Sequence, residues 1–138
     1  MNIFELEKTL PNGFHDAQLL ELAVFWADQT SILKLQVWVG DLSGPKAERE
    51  RYKYGELRLT GVGYLYMDRP DPNYPAPMSR PLIIDLTTAE DKSLADSEID
   101  FRFWVSAWNG FIHLQAACAE LHWLEENNAS TPNEALAL

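Results

Sequence analysis

Thiol chemistry is almost missing from this sequence, which holds one cysteine, Cys118. A lone thiol closes no intramolecular disulfide and supplies no metal cluster. Ala116, Ala117 and Ala119 surround it, and such neighbours predict a small packed core residue rather than an exposed nucleophile. Long apolar runs are missing as well. No stretch approaches the roughly 18 apolar residues of a membrane span, and MNIFELEKTL at the N-terminus has no basic region followed by an apolar one. The expectation is a cytoplasmic chain with no membrane contact. Positive charge is scarce: 11 Lys and Arg stand against 21 Asp and Glu, a formal net charge of -10. A field of that sign repels phosphate backbones, so nucleic acid is not an expected partner. Lys46, Arg49, Arg51, Lys53 and Arg58 do fall close together, but Glu48, Glu50 and Glu56 are interleaved with them, as on a solvated surface. The sequence also lacks GxSxG, HExxH, paired CxxC and the Walker and Rossmann glycine patterns. No cofactor and no metal are expected.

What is present is a globular composition. Of 138 residues, 46% are apolar and 12% aromatic, enough to build a real core in one domain spanning 1–138. Ile3, Leu6 and Leu10 recur at helical spacing, so residues 1–10 predict a short helix that must stop at Pro11-Asn12-Gly13. From Ala17 to Val39 two apolar runs flank Asp28-Gln29-Thr30-Ser31, a hairpin signature. In the second run Leu33, Leu35, Val37 and Val39 share one strand face. The first is apolar on both faces and reads as a central strand. A third strand is expected from about Tyr54 to Met67, with Leu57, Leu59, Leu65 and Met67 on one side and Val62, Tyr64 and Tyr66 on the other. Within it, Gly61 and Gly63 signal a bulge or a close approach, most simply a space filled by a neighbouring aromatic.

Residues 68–81 contain five of the eight prolines and predict an extended loop. Leu82–Leu86 reads as a short strand, followed by an acidic connection to about Glu98. Ile99–Trp108 alternates, with Phe101, Phe103 and Val105 opposite Arg102, Trp104, Ser106 and Trp108, and Asn109-Gly110 is a strong hairpin turn. The segment after it fits a helix over about 110–125, which would make the protein α+β. It also fits a strand paired back through Asn109-Gly110, with Ile112, Leu114 and Ala116 inward and a slip near Ala117 or Cys118. The strand is preferred because the turn otherwise has no partner. The fold expected is therefore mainly β, an antiparallel sheet or sandwich of about six strands with a short N-terminal helix and a frayed tail at 125–138.

Chemistry has few candidates. His15 and Asp16 form the tightest, since a histidine oriented by a carboxylate can act as a general base. Neighbouring residues diverge in an extended chain, however, and an Asp after such a turn more often bonds to local backbone N–H groups. His15, His113 and His122 have no zinc-motif spacing, and on one regular strand His113 and His122 face opposite sides. Asp96, Glu98 and Asp100 alternate at a strand entrance, where carboxylates are usually solvated. The aromatics Trp38, Tyr64, Tyr66, Trp104 and Trp108 fall on strand faces and are candidates for ligand binding.

LPNGFHDA at 10–17, VWVGDL at 37–42 and WNGFIH at 108–113 resemble a small bacterial family of uncharacterised domains with a Gly-Phe-His-Asp-Ala turn near the N-terminus. The resemblance spans residues 10–123 and implies no activity, because none is assigned to that family. Three functional expectations follow from the residues. The first is a non-enzymatic interaction or accessory domain, of the immunity type, whose acidic surface meets a basic protein partner. The second is a small-ligand or carbohydrate-binding domain using the aromatics. The third is a hydrolase-like enzyme built on His15 and Asp16. Partner identity, oligomeric state and strand order are not written in the sequence.

Overall fold

The computed structural model describes residues 1–74, 82–88 and 99–124. In chain order these form α1 (Ile3–Glu7), β1 (Ala17–Phe25), β2 (Thr30–Trp38), α2 (Lys46–Arg49), β3 (Tyr52–Thr60), β4 (Tyr64–Met67), β5 (Leu82–Thr88), β6 (Ile99–Val105), β7 (Gly110–Ala116) and β8 (Cys118–Trp123). The eight strands make one antiparallel sheet in the order β4-β7-β6-β5-β1-β2-β3-β8. Covalent continuity turns that order into a ring. β3 continues into β4 through Gly61–Gly63, and β7 into β8 through Ala117. The two bent strands pair with each other along both halves, from Gly55 opposite Trp123 to Thr60 opposite Cys118, then from Tyr64 opposite Gln115 to Met67 opposite Ile112. Followed round, β1, β2, β3/β4, β7/β8, β6 and β5 return to β1. Six strand positions, two of them bent, are the mainly β antiparallel architecture that the alternation predicts.

The bend departs from the single strand expected over 54–67. Gly61 takes φ +65, and a Cβ there would lie 2.8 Å from the Cβ of Ala117. At Gly63 a Cβ would collide with the Gln115 side chain. The space beside these glycines is therefore closed by the partner strand at short range and not by an aromatic. Backbone bonds tie the corner: Ala117 N–H donates to Thr60 O at 3.0 Å, Gly63 N–H to Gln115 O at 2.9 Å, and Val62 N–H to Gln29 O at 2.8 Å. Val62 turns inward and is buried, contrary to its expected place beside Tyr64.

Period-two alternation fills the interior. Leu33, Leu35 and Val37 of β2, Leu57 and Leu59 of β3, and Phe103 of β6 are fully buried. The N-terminal segment covers this core. Asn2 caps α1 in a capping box, accepting the Glu5 N–H at 2.8 Å and donating its own N–H to the Glu5 carboxylate at 3.1 Å. Ile3 and Leu6 are buried, Phe4 meets Phe101 edge-on at 6.4 Å, and Phe14 meets Phe103 edge-on at 6.1 Å. Ala119 N–H donates to Met1 O at 2.8 Å, so the chain start occupies part of the open edge of β8.

Both hairpins turn in one way. A single 3₁₀ turn, Trp26–Asp28 or Ser106–Trp108, is closed by a left-handed residue, Gln29 or Asn109, each at φ 50. Asn109 adopts the conformation its side chain favours, but Gly110 does not share it and begins β7, so the turn is not a two-residue Asn-Gly turn. In consequence β6 stops at Val105, short of the expected Trp108. The segment after the turn is strand and not helix, with the anticipated slip at Ala117. That slip places Ala119 inside and Cys118 outside, which corrects the expectation of a buried thiol. β1 is central only at Gln18 and Leu19, where it pairs with both β5 and β2. A register shift between Leu19 and Glu21 follows, and its far end leaves Phe25 exposed. Among the described residues no helix is long and apolar enough to cross a membrane. The latter part of the proline-rich loop, Asp96 and Glu98, and the 125–138 tail lie outside the described residues.

Candidate functional site

Two side-chain clusters lie on one outer face made by β4, β7, β6 and β5, with Asp85 of the first paired across the strands with Trp104 of the second. The first grows from the turn before β1. Gly13 and Asp16 both have positive φ, 56 and 53, so the chain folds back on itself. Asn12 fastens that turn to the end of β2, its side-chain amide donating to Gly40 O at 2.9 Å and Trp38 O at 3.3 Å. The Glu7 carboxylate accepts the Phe14 N–H at 3.3 Å. On the other side Asp85, from the middle of β5, accepts the Asp16 N–H at 3.1 Å and lies 2.5 Å from His15 Nδ1. Nε2 of the same ring is 3.4 Å from Asp16 Oδ2. The left-handed backbone at Asp16 thus defeats the divergence that an extended chain would impose. Asp85, and not Asp16, bonds to the local backbone N–H.

His15 is 61% exposed on its side chain, and the Trp38 ring stands 5.9 Å from it. Its pKa is raised, chiefly by the hydrogen bond to Asp85, with the negative charge of Asp16 adding to the effect. Burial raises Glu7 too, and the Asp85 charge pushes the same way. An imidazolium held between two carboxylates is a poor general base, and among the described residues no Ser, Thr or Cys hydrogen-bonds to it. The cluster can hold a charged imidazole. With the proton removed, it offers one nitrogen and two oxygen donors.

The second cluster is aromatic. The pairing places Tyr64 and Tyr66 of β4, Phe111, His113 and Gln115 of β7, and Asp100, Arg102 and Trp104 of β6 on the outer face. Tyr66 stacks on His113 with centroids 4.3 Å apart and planes 11° from parallel. Tyr64 lies 5.7 Å from Tyr66, Arg102 covers Phe111 at 4.2 Å, and Trp104 meets Phe111 at 5.0 Å. Carboxylates hold the rings in place. Asp68 accepts from Phe111 N–H at 2.9 Å and pairs with His113 Nε2 at 2.9 Å, and Asp100 accepts from the Tyr64 hydroxyl at 2.7 Å and from the Gln115 amide at 3.1 Å. Burial, with that bond to Asp100, pushes the Tyr64 phenol far above its ordinary range.

The hydrogen bond from His113 holds Asp68 below the usual carboxylate range. A depressed carboxylate contributes stability that is present above about pH 4 and lost as the pH falls through its folded value. The side chain is 39% exposed, so solvent screens the effect and it is small. Asp68→Asn is therefore expected to be somewhat less stable at neutral pH and to lose less stability than the native protein between about pH 4 and pH 2. Acid titration followed by circular dichroism checks this, and parallel curves would contradict it.

Of the residues singled out from sequence, His15 and Asp16 come together, and Tyr64, Tyr66 and Trp104 share a face. Trp38 stands apart beside His15, its indole N–H donating to Arg49 O at 2.6 Å. Trp108 leaves the sheet with the 3₁₀ turn and packs against the core. The three histidines do not converge: His15 pairs with Asp85, His113 with Asp68, and His122 with Glu120 at 3.1 Å. The break at Ala117 puts His113 and His122 on the outer face of different halves of the bent strand. Asp85, Asp68 and Phe111 escaped the sequence reading. For Asp85 a signal existed, a single charge inside the apolar run LIIDL. No protein-family model, curated protein or solved structure matches this chain. The likeness to the Gly-Phe-His-Asp-Ala family accordingly assigns no membership.

Proposed function

We propose that this protein is a binding domain for a basic protein segment, which docks on the aromatic outer face of β4 and β7. The observation that carries the reading is Tyr66, 55% exposed and stacked on a histidine that Asp68 anchors. One ring face is held rigid from behind and the other side meets solvent. Such a ring receives a guanidinium or ammonium group, and Asp68, bonded to the stacked His113, carries the opposite charge to it. The net charge of -10 favours encounter with a cationic partner. A carbohydrate platform is less well supported, because Tyr64 and Trp104 are half-buried by their neighbours while Trp38 and Trp108 stand elsewhere. A hydrolase built on His15 is opposed by the two carboxylates that favour its protonated form.

A hexa-arginine peptide is the probe, with a hexa-glutamate peptide as control, titrated into the full chain by calorimetry at low and at high salt. The arginine peptide is expected to bind at low salt and to weaken with added salt. Tyr66→Ala is expected to reduce its affinity about two- to fivefold, the worth of one exposed cation–π contact. Equal affinity for both peptides, or a Tyr66→Ala protein that binds like the native one, would remove this reading.

A further inference from the structure

We infer that His15, Asp16 and Asp85 form a binding site for a divalent first-row transition-metal ion, with zinc as its representative. The three residues each present a ligand atom, and these atoms lie within 4.8 Å of one another. One imidazole nitrogen with two carboxylate oxygens is a donor set suited to zinc, cobalt or manganese, and the imidazole distinguishes it from a bare group of acids. Zinc bonds of about 2.1 Å put tetrahedral ligand atoms about 3.4 Å apart. His15 Nε2 and Asp16 Oδ2 already have that separation, 3.4 Å. The ion displaces the proton on Nε2, and Asp85, which now holds the other ring nitrogen Nδ1, joins by side-chain rotation that gives up that contact.

Three features make the site ready for an ion. The backbone beneath it is fastened by Asn12 and by Glu7 at Phe14. Negative charge is in excess, since Glu7 adds a third carboxylate close to Asp85, and among the described residues no Lys or Arg pairs with any of the three. The exposed imidazole leaves an entry path and open coordination positions for water. This site is separate from the Tyr66 surface, and neither depends on the other.

Protein freed of metal by a chelator is titrated with Zn²⁺ against a chromogenic indicator. One equivalent is expected to bind. His15→Gln and Asp85→Asn should each weaken it by at least about tenfold, and His122→Gln, at a comparable exposed pair with Glu120, should leave it unchanged. Asp16→Asn serves as the third variant, because asparagine tolerates the left-handed backbone while lacking the charge. In NMR spectra the His15 imidazole alone should shift on metal addition. The inference is overturned by no saturable uptake, by uptake that survives these ligand substitutions in folded variants, or by uptake that disappears with His122→Gln.

Discussion

Phe103→Ala is expected to lower the unfolding free energy by about 3–5 kcal/mol, the usual cost of truncating a fully buried phenylalanine. Three packing relations concentrate the loss at this ring. Phe14 rests on it edge-to-face at 6.1 Å and 86°, Phe101 at 5.8 Å and 89°, and its strand is paired on both sides, opposite Leu86 of β5 and Ile112 of β7. Double pairing prevents β6 from moving inward to fill the cavity, so the lost contacts are not regained. Phe14 belongs to the turn that carries His15, and loosening its seat should also widen the spread of His15 and Asp85. Trp104, the next residue on β6, faces outward and is half-buried, so Trp104→Ala should cost clearly less despite the larger side chain removed. Urea denaturation of the two variants checks this, and equal losses would mean that the faces of β6 are wrongly assigned. For a domain of this size, whose total stability is typically about 7–20 kcal/mol, the Phe103 variant should remain folded but with a much lower midpoint.

At the corner of the ring, Gly61→Ala is expected to cost about 2–5 kcal/mol, from two sources that can be separated. The left-handed backbone at φ +65 penalises any L side chain by about 1–2 kcal/mol. The new Cβ would also stand 2.8 Å from the Cβ of Ala117, an overpacking that costs about 1–3 kcal/mol because the contact is with a methyl group that has no rotamer to escape into. Adding Ala117→Gly to Gly61→Ala should restore the steric part and leave the backbone part. The two substitutions should therefore be non-additive, with the double variant more stable than the sum of the singles predicts. A Gly61→Ala cost within about 0.5 kcal/mol, the range of ordinary surface substitutions, would show that the two bent strands do not approach as described. The corner matters beyond its own stability. It lets β3/β4 and β7/β8 pair through both halves, and so places Tyr66 beside His113.

Legibility in the sequence followed the range of the interaction responsible. Leu33, Leu35 and Val37 share one face by alternation, as do Phe101 and Phe103, and Ile112 and Leu114 read as inward; all are buried, because a strand with one wet and one dry face must repeat every two residues. The slip near Ala117 was visible for the same reason, since Ala116 and Leu121 cannot share a face on an unbroken strand. Turn detail was less visible. Asn109-Gly110 marked the right place, but the 3₁₀ turn before it, which takes Trp108 out of β6, depends on how β6 and β7 meet. The alanine neighbours of Cys118 predict a buried thiol, and it is exposed because the break at Ala117 reverses the inward phase just before it.

By itself, then, the chain's pattern of apolar and polar residues determined where most of the strands lie, which residues share a face, the short first helix and the acidic charge balance, all of which arise from interactions between near neighbours or with water. Tertiary structure alone decided the closure of the ring at Gly61 and Ala117, the meeting of His15 with Asp85 across 70 residues, and the seating of Tyr66 on His113 across the β4–β7 pair. Those contacts join segments far apart in the chain, and their geometry is set by strand register and by how closely two backbones approach, quantities that no local periodicity encodes.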